Sequence, residues 1–419
     1  MILPFMSSLP NVGKMKRIYE ELLREHFAEE RQMAFVSGPR QVGKSTLIDS
    51  LCNKNDIALN WDRPDDRRAI LKGSDFIIEQ HGIMDLSAVN SRRLVAFDEI
   101  HKFRQWKNFL KGFFDASEGV ASVLVTGSAR LNIYKRGGDS LMGRYFLYRM
   151  HPLSVGELIA RPYDASVIRK PGLLSDEAFE ALYRFGGFPE PYLRGTDRFY
   201  NRWIGLRTEQ MFREDLRDLT QVQDIDQLMT LSQILLSQAG STLNYSELAN
   251  EVRVSVDTIR RWLTLLESIY FSFRVRPWFR NIAKSLRKQP KVYPWDWSPV
   301  NDEGARIESF TASHLLKAVH WWTDLGLGQF ELHYIRDTAK REVDFLISRD
   351  ANPWMMIEVK KSQKEPLSPA LKHFAEVLKV PHAFQAVMEM DAVDADCFEA
   401  SRTGKPLRVP LRTLLSQLV

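Results

Sequence analysis

Residues 38–45 read Gly-Pro-Arg-Gln-Val-Gly-Lys-Ser. Glycines at both ends of the run let the backbone curl so that successive N–H groups point inward, a concave set of donors for phosphate oxygens. On that reading Gly38, Pro39, Arg40, Gln41, Val42 and Gly43 cradle a nucleotide's phosphates. Lys44 reaches the β- and γ-phosphates, the Ser45 hydroxyl binds Mg²⁺, and Thr46 completes the site. Farther along, Leu94-Val95-Ala96-Phe97-Asp98-Glu99 is an apolar run that ends in two acids. Asp98 is expected to hold the magnesium ion through water, and Glu99 to polarise the attacking water as general base. Taken alone the pair also fits carboxylates exposed at a strand end. With the loop upstream, the expectation is ATP and Mg²⁺ as cofactors, turned over by Lys44, Asp98 and Glu99.

Two further residues carry two readings each. Ser128 follows Val125-Thr126-Gly127; it either senses the γ-phosphate from the end of a neighbouring strand or closes a turn. Arg144, in Leu141-Met142-Gly143-Arg144-Tyr145-Phe146, fits an arginine finger acting across a subunit contact or a side chain supporting a turn.

A second constellation lies toward the C-terminus. Glu308 falls in a helical stretch, Asp344 in the strand-like run Glu342-Val343-Asp344-Phe345-Leu346-Ile347-Ser348, and Glu358-Val359-Lys360 at the end of another. Side chains two apart on a strand leave on one face, so Glu358 and Lys360 point together. With Asp344 on a neighbouring strand they make a hard oxygen set for a second metal ion, with a lysine to orient water. The competing readings are a retained scaffold that binds without cutting, and charges on a wet sheet face.

Basic residues gather elsewhere. Residues 274–291 hold seven Lys or Arg and no acid, although the whole chain carries only +5. Just upstream, Arg253, Arg260 and Arg261 flank or occupy an amphipathic helical stretch. Together with Lys284 and Arg287 they are the candidate contacts to DNA phosphates. A solvated loop and a protein-binding helix would look similar.

The elements that must position these groups show in the periodicity. Between residues 33 and 150 short apolar strands alternate with helical stretches, the pattern of a parallel sheet covered by helices. Residues 154–225 read as a mainly helical connector broken by Gly186-Gly187-Phe188-Pro189, which must turn. Residues 226–290 read as three short helices and a strand, with Ser255 as an N-cap and Asp257 in the first turn of the third helix. The Pro- and Trp-punctuated stretch 290–299 reads as a linker, and residues 291–419 as a further α/β domain. The expected divisions are therefore 1–153, 154–225, 226–290 and 291–419, consistent with a chain of 419 residues, too long for one core. A hydrophobic content of 44% with 26% charged residues is that of a soluble protein. No run approaches the roughly 18 apolar residues of a membrane span, and the N-terminus lacks the order of a secretory signal. A cytoplasmic protein without membrane contact is expected. Cys52 and Cys397 stand too far apart in sequence to suggest a disulfide framework or zinc site.

The ordered series of the phosphate loop, Phe97-Asp98-Glu99-Ile100-His101-Lys102-Phe103-Arg104-Gln105-Trp106, the Val125-Thr126-Gly127-Ser128-Ala129-Arg130 strand end, the Gly143-Arg144 pair and Gly186-Gly187-Phe188-Pro189 resembles one family. It is the AAA-fold ATPases that carry a C-terminal domain of unknown function of the DUF4143 type. The resemblance implies a P-loop NTPase core of αβα type, a winged-helix segment and a C-terminal domain of restriction-endonuclease-like fold. Lys44, Asp98 and Glu99 match its hydrolytic positions, and Arg144 a recurrent Gly-Arg pair. Glu308 matches the helix acid of restriction-enzyme cores. The function expected on this resemblance is an ATP-driven motor or remodeller acting on duplex or branched DNA, of helicase, translocase or branch-migration type, assembled as a homo-oligomer such as a hexameric ring. The alternatives are a nucleotide-gated regulatory or defence protein that binds partners, and an ATP-dependent nuclease.

Overall fold

The computed structural model describes residues 15–84, 92–117, 119–127, 141–215, 225–279, 289–401 and 404–419. The chain divides into two units, Met1–His151 and Pro152–Val419.

In the first unit, α1 (Ile18–Glu29), β1 (Met33–Ser37), α2 (Lys44–Leu51), β2 (Ile57–Asn60), α3 (Pro64–Lys72), α4 (Ser74–Gln80), β3 (Arg93–Asp98), α5 (Trp106–Ala116), β4 (Ala121–Gly127) and β5 (Tyr145–Arg149) follow in order. The strands form a sheet in the order β2-β3-β4-β1-β5, and its pairings are parallel. β1 and β4 are buried along their whole length, as strands covered on both faces must be, and they read as continuous apolar runs. Phe35, Val95, Phe97, Phe113 and Val125 form the core beneath them. β2, with the short sequence Ile-Ala-Leu-Asn, escaped the sequence reading because four residues carry too little pattern.

The second unit begins with α6 (Val155–Leu158), α7 (Asp176–Phe185), α8 (Pro189–Arg194) and α9 (Asp197–Gln210), the expected helical connector. Three helices follow, α10 (Ile225–Ser237), α11 (Tyr245–Val252) and α12 (Val256–Ser268), then β6 (Ser272–Pro277) and β7 (Lys291–Pro294). Ser255 caps α12, its hydroxyl accepting from the Thr258 N–H at 3.1 Å. α12 buries Ile259, Trp262, Leu263 and Leu266 and turns Asp257, Arg260, Arg261 and Thr264 to solvent. The expected linker at 290–299 is corrected here: its first residues are strand β7, paired antiparallel with β6 through Phe273↔Tyr293 and Val275↔Lys291. Prolines stand just before the strand and at its last position, where a missing N–H does least harm to a ladder. The expected boundary at 290/291 thus falls beside a ribbon shared by both parts.

The C-terminal part runs α13 (Glu303–Asp324), β8 (Phe330–Arg336), β9 (Glu342–Arg349), β10 (Asn352–Lys360), α14 (Pro369–Leu378), β11 (His382–Val387), α15 (Cys397–Ala400), β12 (Leu407–Pro410) and α16 (Leu411–Ser416). Its sheet has the order β12-β11-β10-β9-β8-β6-β7, so the ribbon of the three-helix module continues it. Among the described residues no helix is long and apolar enough to cross a membrane.

The Gly186-Gly187 turn is fixed by close packing. A Cβ on Gly187 would lie 2.7 Å from the Leu153 carbonyl oxygen and 2.8 Å from both Pro152 and Trp297, whereas one on Gly205, within α9, meets nothing within 4 Å. Gly187→Ala is expected to lower the melting temperature by about 3–10 °C, and Gly205→Ala to leave it unchanged or raise it slightly. Thermal unfolding followed by circular dichroism checks both signs.

Candidate functional site

The phosphate loop leaves β1 at its C-terminal end and enters α2. Gly38 packs so tightly on the Met150 carbonyl that a side chain there has no room. Gly43, at φ 105, takes a backbone conformation that side chains rarely adopt. Lys44 is buried and curls back, donating to the Gly38 and Pro39 carbonyls at 2.9 and 2.7 Å. Arg17, ahead of α1, holds the loop from behind by donating to the Val42 and His151 carbonyls. A cavity of about 290 Å³ lined by Met15, Lys16, Arg17, Glu20, Thr46 and Ser50, among others, opens beside α2.

Asp98 is the centre of this region. Ser45 Oγ donates to its Oδ2 at 2.8 Å, Asn60 Nδ2 to the same oxygen at 3.0 Å, and Thr126 Oγ1 to Oδ1 at 2.5 Å. The Ser45 hydroxyl and the Asp98 carboxylate are hard oxygen donors side by side, so this pair fits a magnesium ion. Asn60 and Thr126 went unnoticed in the sequence. Asn60 ends the short β2, and Thr126 lies two residues before Ser128, which itself lies outside the described residues.

Glu99 takes φ 55, ψ 20, a left-handed conformation unusual for a residue with a side chain. It turns the chain from β3 into a 3-10 turn, Ile100–Lys102, in which positions three apart eclipse. That stacking brings Lys102 Nζ to 3.3 Å from Glu99 Oε2, with His101 Nε2 at 3.7 Å. Lys102 also lies 2.6 Å from Asp62, just beyond β2. Burial alone would lower the pKa of Lys102, but Asp62 and Glu99 outweigh it and hold the ammonium above the usual lysine range. Trp61 stacked on Phe103 at 5.0 Å keeps the two turns together.

Arg144 forms a two-pronged pair with Asp115 at 2.9 and 3.0 Å, and its carbonyl accepts from the Met33 N–H. Action on a neighbouring subunit would first require release from Asp115.

In the three-helix module Arg253, Arg260 and Arg261 are exposed, Arg260 lying over the Tyr245 ring at 5.3 Å. Lys284 and Arg287 lie outside the described residues. Of the described residues in the basic run, Arg274 is bound to Glu267 and Lys291 is buried. In the C-terminal part Glu308, Asp344, Glu358 and Lys360 do gather, with Lys360 at 3.0 Å from Glu358 and the Val359 N–H donating to Asp344 at 2.8 Å. Two residues that sequence reasoning left out of the set, Lys291 and Glu342, stand among them.

Comparison with known proteins matches three stretches of the chain. Residues 30–159 match a family described as an AAA domain, residues 176–303 a domain of unknown function (DUF8612), and residues 303–398 a domain of unknown function (DUF4143). An uncharacterized protein of Mycobacterium tuberculosis is 22% identical over 349 residues, 81% of this chain and 73% of that protein. One of Methanocaldococcus jannaschii is 20% identical over 325 residues, 69% of this chain and 67% of that protein. Among solved structures, AMPPCP-bound DnaA from Aquifex aeolicus aligns with 62% of this chain and 93% of its own at 12% identity and a TM-score of 0.31.

The Thr126 hydrogen bond is testable. Thr126→Val keeps the side chain's shape and removes one hydrogen bond to a charged group, a loss of about 1.5–3 kcal/mol. Affinity for ATP with Mg²⁺ should fall at least about tenfold, while affinity measured in excess chelator stays unchanged. Titration of a fluorescent ATP analogue under both conditions decides it; equal losses would separate Thr126 from the metal site.

Proposed function

This chain belongs to the AAA-fold family with a C-terminal DUF4143 domain, and from that premise we propose that it hydrolyses ATP with magnesium and couples the cycle to a grip on DNA. The observation that carries the hydrolytic reading is the Asp98 carboxylate held against Ser45 and steadied by Thr126 and Asn60. Ser45 and Asp98 would hold the magnesium ion, which when bound neutralises developing phosphate charge. Gly38 and residues Arg40 to Gly43 would supply inward N–H groups, and Lys44 would exchange its two loop carbonyls for phosphate oxygens. The cavity beside α2 has room for the base, with Thr46 on its wall. Glu99 would take the proton of the attacking water.

The exposed arginines of α12 and the Arg253 turn favour DNA as the partner, since exposed guanidinium groups without an ion pair among the described residues suit phosphate contacts. ATP turnover should rise several-fold with single-stranded, duplex or four-way-junction DNA. Glu99→Gln should keep nucleotide binding and lose turnover. Neutralising Arg260 and Arg261 should lower the log–log salt slope of DNA binding by about 0.9 for every phosphate no longer neutralised. Turnover indifferent to all three DNAs, with an unchanged slope, would reject the DNA reading and leave hydrolysis standing.

One observation favours the second reading, a nucleotide-gated switch. Glu99, the proposed base, is paired with Lys102, and an oxygen held by an ammonium is less open to an attacking water. Lys102→Ala should therefore raise basal ATP turnover several-fold with little change in KM. A rate equal to or below that of the unaltered protein would remove the pairing as a restraint.

A further inference from the structure

The restriction-enzyme resemblance implies a divalent metal in the C-terminal domain, and the donor set there decides whether such an ion fits. β7 is short and buried throughout. Strand alternation sends Lys291 and Tyr293 to one face. There Tyr293 Oη donates to Glu308 Oε1 at 2.6 Å. Lys291 Nζ lies 3.0 Å from the same oxygen, 2.8 Å from Glu342 Oε1 and 3.8 Å from Asp344 Oδ1. Glu342 and Asp344, two apart on β9, share a face by the same alternation, and Arg336 approaches the other Glu342 oxygen at 3.5 Å. Lys291 itself is only 4% exposed.

A magnesium ion requires several oxygens at about 2.0–2.1 Å in near-octahedral array. Here one oxygen of each carboxylate is already engaged: Glu308 Oε1 by Lys291 and Tyr293, Asp344 Oδ2 by the Val359 N–H, and Glu358 Oε1 by Lys360. Glu358 Oε2 is buried without a hydrogen bond. Among the described residues no group of three or more His, Cys, Asp or Glu side chains is arranged to hold a metal. An entering ion would also have to expel a buried ammonium and strand it without its partners, the costly way to break such a pair.

We propose that the Lys291 ammonium is the resident cation of this acidic cluster, which is an internal joint pinning the β6–β7 ribbon to α13 and the C-terminal sheet, not a metal-dependent nuclease centre. The electrostatics agree. Burial alone would lower the pKa of Lys291, but Glu308, Asp344 and Glu342 raise it far above the lysine range. Burial and the charges of Glu308 and Glu358 push the Asp344 carboxyl above the usual carboxylate range. The backbone is fitted to the joint too: Gly240, at φ +78, donates its N–H to the Val292 carbonyl, and a Cβ on it would meet Glu308 at 3.2 Å. With β6 also pairing β8 through Arg276↔His333, the ribbon that follows α12 is continuous with the C-terminal sheet. This joint does not depend on ATP hydrolysis.

Two measurements on the full chain test it. Mn²⁺ binding followed by electron paramagnetic resonance, in nucleotide-free Ser45→Ala protein so that the phosphate loop does not contribute, should show no saturable site. The unaltered protein with Mg²⁺ or Mn²⁺ should leave linear, flapped and branched DNA intact. A saturable site, or nicking, that Asp344→Asn abolishes would overturn the proposal. Lys291→Met should lower the melting temperature by on the order of 10 °C, and Glu342→Gln, a milder loss of one partner, by a few degrees. If Lys291→Met fails to fold, the Glu342→Gln shift still reads the joint, and an unshifted melting temperature in Glu342→Gln overturns it.

Discussion

The Asp98 carboxylate is the interaction on which the nucleotide region depends. Parallel strands all end on one edge of a sheet, so the last residues of β2, β3 and β4 and the first turn of α2 emerge together. Asp98 ties them: Asn60 from β2, Thr126 from β4 and Ser45 from α2 all donate to it. Because β4 lies between β3 and β1, Thr126 stands between the acid strand and the loop strand and can brace the carboxylate from one side while Ser45 holds it from the other. Three hydrogen bonds to one charged group fix its orientation far better than the strand end alone, which is what an ion site requires. The close approach of Gly38 to Met150 and the Arg17 bonds to the Val42 and His151 carbonyls give the other half of the site a fixed back wall.

Three lysines show how environment assigns a role to one residue type. Lys44 is buried but curls onto loop carbonyls, partners that a phosphate can replace. Lys102 is half-buried and shared between Asp62 and Glu99, so it links the turn after β2 to the proposed base. Lys291 is enclosed by three carboxylates and serves cohesion. A compact ammonium on a flexible stem suits all three tasks, and only its neighbours distinguish them.

The same principle divides the arginines. Arg144 and Arg274 are taken up by Asp115 and Glu267 within the chain, whereas Arg253, Arg260 and Arg261 face solvent. A surface for phosphate is defined by cations left without carboxylate neighbours, and among the described residues the exposed face of α12 is the proposed one.

The phosphate loop, the acid pair, the strands β1, β3 and β4, the three-helix module and the C-terminal helix and strands were all legible in the sequence. Each is a local matter: a glycine spacing, an apolar run closed by acids, a 3.6-residue period with a capping serine, a two-residue alternation. Tertiary structure alone decided which side chains meet across distance. β2 was invisible because four residues hold no period, and with it went Asn60. Thr126 was passed over for Ser128 because sequence shows that a strand ends but not which of its last residues faces the acid. The stretch 290–299 looked like a linker by its prolines, yet strand pairing with β6 made it a ribbon and carried Lys291 into the acid cluster. The sequence could place four charged residues in one domain as a metal set. Whether their charge would be met by an ion or by a lysine from a neighbouring strand is a question of three-dimensional proximity, and no local spacing encodes it.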